Sequence, residues 1–331
     1  MKPFLDRLSD TKHMIYDGGF GSELFAEGIE LTNSALANEQ YPQAVVDVHA
    51  DYIEAGADAI GTNTFVASEL HLEMAGKSKS DVGSIVSSAV QHVKSAIDKI
   101  GKDVYIAGSI GPAPGAIEAD TGDTDFGIPN QAVRDAHKRV IYALAEGGVH
   151  FLCLETMFSA KEAAVVVDVA RKTGLPIAIN MTYKYTKDRK TGQILYRTDW
   201  GHSAADLLDI LSEGEFSDGD NILDDVCILG LNCGAESRRS EHTGMPYAIS
   251  GIQQLSQAMK DRGIEPKKMM AYPNAGIPFL DKNHNTYYTQ GPEEMVSDLD
   301  NLISSGVYFI GGCCGTTPRH IEHFRRALDA N

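Results

Sequence analysis

Basic residues are scarce in this chain of 331 residues: 29 Lys and Arg stand against 46 Asp and Glu, which gives a formal net charge of -17. An acidic surface of this kind repels phosphate backbones and anionic lipids, so neither nucleic acid nor a membrane surface is expected as a partner. The sequence also lacks an uncharged apolar run long enough to span a bilayer, and its first residues lack the apolar core of a secretory signal. These absences predict a cytoplasmic protein.

Cysteine is also sparse, with five residues in the whole chain. An odd number of cysteines in a large chain expected inside the cell argues against a disulfide framework and favours thiol or metal chemistry. Cys153 and Cys227 lie within apolar runs that have no flanking glycine, which is typical of core residues. Cys233, Cys313 and Cys314 instead follow apolar runs and are flanked by glycines, which permit a backbone turn.

No linker or low-complexity tract interrupts the chain, in which short β-branched runs alternate with longer amphipathic segments. The alternation occurs eight times. The predicted strands span residues 13–17, 58–64, 104–109, 151–155, 176–181, 226–232, 269–273 and 307–311. The predicted helices span residues 42–55, 80–100, 130–146, 159–173, 203–212, 249–262, 292–305 and 318–330.

Eight successive β-then-α units predict a (β/α)8 TIM barrel, an α/β fold formed by a single domain over residues 1–331. A doubly wound open sheet is the structural alternative, because the pattern alone does not show whether the sheet closes. In a barrel, the loops that follow the strands build the active site. Carboxylates, amides and thiols collect at those positions: Asp17, Asn63, Glu155, Asn232, Cys233, Asn274, Cys313 and Cys314.

The adjacent pair Cys313 and Cys314 carries the clearest chemical signal. Neighbouring side chains of a strand point to opposite faces, so both sulfurs reach one point only where the strand ends and the backbone turns. Cys233 lies in a very similar setting, between an apolar run and Gly234. Three thiolates at strand ends indicate a metal site, and soft sulfur ligands select zinc over magnesium or calcium. The alternative is that all three are buried as small apolar residues.

At these residues the chain resembles the homocysteine S-methyltransferase family. These are zinc-dependent barrel enzymes that include betaine- and S-methylmethionine-using members and the homocysteine module of cobalamin-dependent methionine synthases. The resemblance covers about residues 13–325, and its most specific elements are Asn232-Cys233-Gly234 and Gly311-Gly312-Cys313-Cys314-Gly315. It is supported by Asp17-Gly18-Gly19, Thr62-Asn63-Thr64-Phe65, Ser109-Ile110-Gly111-Pro112 and Asn274-Ala275-Gly276. The resemblance implies that Cys233, Cys313 and Cys314 bind Zn²⁺ and carry the catalysis.

The resemblance also implies how the substrate is held. Asp17 and Glu155 would face the amino group of homocysteine, because a buried ammonium needs anionic or carbonyl partners. Backbone N–H groups around Gly18, Gly19 and Phe20 would receive its carboxylate. Asn63 and Asn274 are further candidate substrate residues, and Asn274 would bind near the metal or occupy its open position. The alternatives are that Asp17 is a turn-forming residue and that Glu155 stabilises the dipole of the next helix.

The function implied is zinc-dependent transfer of a methyl group to the homocysteine thiolate, which forms methionine. The donor is left open among betaine, a sulfonium and a methyl-corrinoid, the last with a corrinoid protein as partner. One alternative is a related barrel enzyme that acts on another thiol or with a separate corrinoid protein. Another is a non-catalytic protein with structural zinc, which needs four protein ligands, although no fourth cysteine or histidine accompanies the motifs.

Two loops are not explained by this reading. Residues 183–200 predict a hairpin over the barrel mouth, whose aromatic side chains would either contact a methylated onium donor or pack against the protein. Residues 118–127 form an acidic, glycine-bearing loop whose spacing fits no calcium-binding template.

Overall fold

The computed structural model describes residues 1–122, 124–234, 239–282 and 286–330. Asp123, part of the acidic loop at 118–127, lies outside the described residues. The described strands are β1 Met14–Ile15, β2 Ala59–Gly61, β3 Tyr105–Ile110, β4 Phe151–Met157, β5 Ile177–Met181, β6 Lys184–Lys187, β7 Ile194–Arg197, β8 Val226–Cys233, β9 Lys268–Pro273, β10 Pro278–Leu280, β11 Thr286–Tyr288 and β12 Val307–Ile310. All eight predicted strands are present.

The main sheet has eight strands in the order β1-β12-β9-β8-β5-β4-β3-β2, and every neighbouring pair is parallel. The two end strands also meet: the Asp58 N–H donates to the Ile15 carbonyl at 2.7 Å, and the Ile15 N–H donates to Asp58 Oδ2 at 2.8 Å. Sequential order with joined ends makes a barrel, because a doubly wound sheet places its first strand in the middle. The predicted barrel is confirmed.

The helices surround this sheet and confirm the predicted β-then-α alternation. Their bounds are α1 Phe4–Leu8, α2 Phe20–Ala26, α3 Ala37–Gln40, α4 Pro42–Glu54, α5 Glu69–Met74, α6 Val82–Ile100, α7 Glu118–Thr121, α8 Asn130–Gly147, α9 Ala160–Ala170, α10 Ala204–Glu213, α11 Gly244–Asp261, α12 Pro292–Ser297, α13 Leu299–Ser304 and α14 Pro318–Ala330. The helix predicted at 292–305 is two helices, because Asp298 leaves the α conformation and its N–H bonds to Met295 three residues back. Among the described residues, no helix combines the length and apolar character needed to cross a bilayer.

The barrel is closed at its amino-terminal end. Phe4 of α1 stacks on Phe151 with ring centroids 4.2 Å apart, and both belong to a buried cluster that includes Met14, Met270 and Phe309. Cys153 is fully buried in the same cluster, which confirms its prediction as a core residue. The polar residues that follow these apolar ones along the strands therefore lie at the opposite, carboxyl end of the barrel.

The hairpin predicted within 183–200 is confirmed as the antiparallel pair β6–β7. Its aromatic side chains pack on neighbouring elements: Tyr196 is buried and bonds to His242 Nδ1 at 2.9 Å, and Tyr185 stacks on the ring of His242 at 4.2 Å. The Tyr196 N–H also donates to Gln254 of α11. These contacts favour the packing role of the hairpin over a role in donor binding.

Candidate metal centre and substrate pocket

Three cysteines converge where β8 and β12 end. The Sγ atoms of Cys233, Cys313 and Cys314 all lie within 4.8 Å of one another, and those of Cys313 and Cys314 are 4.0 Å apart. Backbone hydrogen bonds fix this arrangement. The Cys313 N–H donates to the Pro273 carbonyl at 2.9 Å, and the Ala275 N–H donates to the Cys314 carbonyl at 3.0 Å. The end of β9 thus holds the loop that carries two of the three thiols.

The spacing of the sulfurs fits a metal ion. The sulfur ligands of a tetrahedral zinc lie roughly 3.8 Å apart, since Zn–S bonds are about 2.3 Å long. The Cys313 and Cys314 Sγ atoms are 4.0 Å apart and no pair among the three is more than 4.8 Å apart, so a small inward movement would bring them to this spacing. The hydrogen bond with Cys233 is the main cause that raises the pKa of the Cys314 thiol to about 12. Thiols this close resist ionising together, and a dication between them would offset the repulsion. The donor set therefore fits a soft divalent metal.

The backbone turn at Cys233 brings its sulfur into the cluster. Cys233 has φ +59°, in the left-handed region, which costs a non-glycine residue about 1–3 kcal/mol. The next residue, Gly234, has φ +79°, and a Cβ there would lie 2.3 Å from the ring of Tyr247. Glycine is therefore required beside Cys233, and the sequence correctly predicted a turn at this strand end.

Tyr288, at the end of the hairpin β10–β11, is a site residue that the sequence analysis missed. Its ring lies against Gly315, where a Cβ would approach to 2.2 Å. Burial, followed by the negative charge of the neighbouring Cys314, raises the pKa of the Tyr288 hydroxyl above its ordinary range. Tyr288 therefore covers the two-cysteine loop. No motif marks it, because the contact depends on a hairpin that was not predicted.

Gly315→Ala tests this contact. Gly315 combines φ +79° with the crowding by Tyr288, so an added methyl group should displace the ring or the loop and weaken the binding of added Zn²⁺, used as a probe of the cysteine site, about tenfold or more. Gly101→Ala is the matched control, because Gly101 also has a left-handed φ of +70° but has open space around it. That control should lose about 1 kcal/mol of stability and keep its zinc affinity. Equal zinc affinity in the two variants, measured by chelator competition, would contradict the role of the Tyr288 contact.

Asp17, which is buried, and Glu155, which is half-buried, lie near each other and line a candidate pocket beside the thiols. Asp17 is 5% exposed and its Oδ2 accepts the Gly61 N–H at 2.8 Å, while Glu155 accepts hydrogen bonds from the hydroxyls of Ser109 and Tyr272. Burial is the main cause that raises the pKa of both carboxyl groups, and for Asp17 the charge of Glu155 adds to it. A cation bound between them would reverse this effect, so the pocket suits an ammonium group.

Gly61 is glycine because of a neighbour that directly follows β1 rather than because of the loop it begins. A Cβ at Gly61 would lie 2.5 Å from the Tyr16 hydroxyl. Tyr16 is 2% exposed, so it cannot move away into solvent. The small residue also lets the Gly61 backbone approach Asp17 closely enough to donate its N–H.

The raised pKa of Asp17 predicts a stability effect. A carboxyl group whose pKa rises on folding contributes stability below its unfolded value, which is lost as the pH increases through the folded value. The ordinary value is 3.8, so wild-type stability should decline above about pH 4 on account of this group. Asp17→Asn keeps the acceptor for Gly61 and does not ionise, so its Tm should exceed that of the wild type at about pH 8. Thermal unfolding of both proteins at about pH 4 and about pH 8 measures this effect. A variant less stable than the wild type at about pH 8 would contradict it.

The loop of Gly18, Gly19 and Phe20 packs directly on the loop that carries Cys313 and Cys314. The Gly19 N–H donates to the Thr316 carbonyl and hydroxyl at 3.1 Å and 3.0 Å, and the Phe20 N–H donates to Gly18 at 2.8 Å. A Cβ at Gly19 would lie 2.6 Å from the Cys313 carbonyl, which explains the glycine. Two of the N–H groups predicted to receive a substrate carboxylate are therefore bonded within the protein. Binding would require them to exchange acceptors.

The two predicted amide residues differ in their surroundings. Asn274 is buried, and its backbone N–H donates to the Cys233 backbone carbonyl at 3.2 Å. Its side-chain Oδ1 has no hydrogen-bond partner among the residues that the structure describes. Such an acceptor beside a thiol cluster is available to a ligand. Asn63 instead uses its Nδ2 to donate to Ser34 at 2.9 Å and to Asn38 at 3.3 Å. Its amide nitrogen therefore anchors the loop after β2.

The chain is similar to several known proteins along nearly its whole length. The sequence profile described as homocysteine S-methyltransferase matches residues 14–328. Homocysteine S-methyltransferase 2 of Arabidopsis thaliana is 26% identical over 353 residues, covering 99% of this chain and 96% of the relative. A methionine synthase of Mycobacterium tuberculosis is 27% identical over 343 residues, covering 98% of this chain, which spans 25% of the length of that protein.

The crystal structure of the homocysteine methyltransferase MmuM from Escherichia coli, in its metallated form, shares the fold with a TM-score of 0.70. The two chains are 20% identical, and the alignment covers 98% of this chain and 99% of the other. The family match, from residue 14 to residue 328, covers nearly the whole length of the chain. The chain belongs to the homocysteine S-methyltransferase family and is a methyltransferase.

Proposed function

We propose that this protein transfers a methyl group from a small donor to homocysteine, which is held through its sulfur by zinc at Cys233, Cys313 and Cys314, and so forms methionine. The observation that carries the proposal is the position of three convergent thiols at the same barrel end as two carboxylates, the buried Asp17 and the half-buried Glu155. A soft metal site and an ammonium pocket together match an amino acid that bears a thiol. In this proposal residues 1–331 act as one homocysteine-binding domain.

Zinc supplies the activation of the substrate thiol. A free thiol with a pKa of about 8.5 is mostly protonated at neutral pH, whereas a thiol that coordinates zinc is deprotonated. Three protein ligands leave one tetrahedral position open, and the cysteine group found among the described residues has three members. This count supports a catalytic rather than a structural site.

The remaining site residues orient the substrate. Asp17 and Glu155 pair with its ammonium, and the N–H groups around Gly18, Gly19 and Phe20 receive its carboxylate. The packing of this loop on the loop of Cys313 and Cys314 places it beside the thiols, and in this proposal the N–H groups of Gly19 and Phe20 exchange their present acceptors for the substrate carboxylate. The unpartnered Oδ1 of Asn274 supports its role as a further substrate contact, and Asn63 stays a proposed contact beside it.

The transfer itself is a displacement at carbon. The homocysteine sulfur attacks the donor methyl carbon and forms the S–C bond, while the bond from that carbon to the donor breaks and its electron pair leaves with the donor. A cationic onium or a methyl-corrinoid accepts the pair in this way. The donor is betaine, a sulfonium or a methyl-corrinoid, and the last choice makes a corrinoid protein a partner.

A donor panel tests the proposed function. Zinc-loaded protein and homocysteine are incubated separately with betaine, S-methylmethionine, methylcobalamin and methyltetrahydrofolate, and methionine is quantified by mass spectrometry. Deuterated methyl groups show that the methyl carbon comes from the donor. We expect methionine from one class of donor, and no methionine from any of them would contradict the proposal. A cytoplasmic location is proposed with it, because a reducing compartment keeps the cysteines of the site free.

A further inference from the structure

One buried amide links the carboxylate side of the pocket to the thiols. Asn232, in β8, is fully buried, and its Oδ1 accepts the Thr156 N–H at 2.7 Å while its Nδ2 donates to Thr156 Oγ1 at 2.8 Å. The same Nδ2 lies 3.9 Å from the Sγ of Cys313. Thr156 directly follows Glu155, so Asn232 contacts both the strand end that carries the carboxylate and the loop that carries a thiol.

The backbone at Thr156 explains why such a contact is needed. Thr156 has φ +56°, although a β-branched residue in the left-handed region is a genuine outlier. Conformations of this kind persist only where the surroundings over-determine them, and they cluster at functional sites. Asn232 satisfies both the N–H and the hydroxyl of Thr156, which leaves the strained residue little freedom. Cys233, the residue after Asn232, is left-handed as well, with φ +59°.

We propose that Asn232 is a positioning residue that holds the strained end of β4 against the cysteine loop and so sets the distance between Glu155 and the metal site. Homocysteine carries its amino group and its sulfur on one short chain, so Glu155 and the metal site must contact these two groups at the same time. A rigid connection between the two subsites selects an amino thiol of that length. This inference rests on the proposed function, because it assigns Glu155 to the substrate ammonium.

The test compares two thiols on the zinc-loaded protein by calorimetry. Homocysteine and 4-mercaptobutanoate share the thiol and the carboxylate, but the second lacks the amino group. We expect the wild type to prefer homocysteine, and Asn232→Ala to reduce that preference about tenfold, because a misplaced Glu155 affects only the thiol that has an ammonium. Asn33→Ala is the matched control: Asn33 is also buried, but its side chain bonds to Val66 and Ala35 rather than to β4.

Variants of Thr156 keep the proposal testable if Asn232→Ala does not fold. Thr156→Ser retains the hydroxyl and should keep the wild-type preference, whereas Thr156→Gly removes the hydroxyl and the backbone strain. We expect Thr156→Gly to lose the preference about tenfold without a lower Tm, and an unchanged preference in Thr156→Gly would contradict the positioning role.

The outcomes separate the two proposals. If the wild type binds both thiols equally, amino-group recognition is wrong, and the proposed function loses its substrate assignment. If the wild type prefers homocysteine and Asn232→Ala prefers it to the same degree, the positioning role is wrong while the function stands. An equal loss of affinity for both thiols in Asn232→Ala would show that the residue acts on the metal site alone and would also overturn the positioning role.

Discussion

Alanine in place of Cys233, Cys313 or Cys314 is expected to remove the bound zinc and to abolish methyl transfer, while the barrel stays folded. Each change leaves two sulfur ligands, one fewer than the three that the proposed zinc site requires. The fold should persist because the thiols lie on the barrel rim, whereas the interior is filled by the cluster around Phe151 and Phe309. Zinc content by elemental analysis, activity with the preferred donor and thermal unfolding measure the three effects.

Cys227→Ala is the control for this series. Cys227 lies in the same strand as Cys233, but its thiol donates to the Ile177 carbonyl at 3.1 Å and packs against the barrel interior. We expect this variant to keep about one zinc ion per chain and its activity. Full activity in any one of the three ligand variants would contradict the metal assignment.

Asp17→Asn and Glu155→Gln are expected to weaken homocysteine binding about ten- to a hundredfold while the zinc content stays the same. A charge-assisted hydrogen bond contributes about 1.5–3 kcal/mol, and each 1.4 kcal/mol is about a factor of ten in affinity. Both substitutions are nearly isosteric. Asparagine keeps an acceptor for the Gly61 N–H, and glutamine keeps one acceptor oxygen for Ser109 or Tyr272 while its NH2 group can donate to the hydroxyl oxygen of the other. Calorimetry on the zinc-loaded variants measures the affinity.

The thiol without an amino group is the control for the carboxylates. 4-Mercaptobutanoate should bind the two variants about as well as it binds the wild type, because it has no amino group and the variants change only the carboxylates that would pair with one. Normal homocysteine binding in both variants would show that the carboxylates are structural. Loss of zinc in both would show that they support the metal site rather than the amino group.

The barrel and the convergence of the cysteines were predictable from the sequence for a physical reason. Strand-like runs that end in glycine mark the carboxyl ends of strands, and all such ends meet at one rim in a barrel. Cys233 and Cys313 are therefore brought together from strands that are distant in the chain, and the structure places their sulfurs within 4.8 Å. Asp17 and Glu155 were found by the same rule, since each ends a predicted strand.

What the sequence did not reveal depends on contacts between distant segments. The left-handed backbone of Thr156 contradicts the preference of a β-branched residue, and it is bonded to Asn232, which lies 76 positions away. Tyr288 reaches Gly315 from a hairpin that has no tight two-residue turn signal. The need for glycine at position 61 also depends on a distant segment, because the space that a side chain would occupy is filled by Tyr16.

The central claim is that zinc binds the substrate sulfur, and X-ray absorption at the zinc edge tests it most directly. Zinc-loaded protein should show about three sulfur ligands, and saturating homocysteine should raise this number to about four. Release of about one proton per homocysteine bound at neutral pH should accompany the change. A shell that keeps the same number of sulfur ligands at saturating homocysteine would contradict the account.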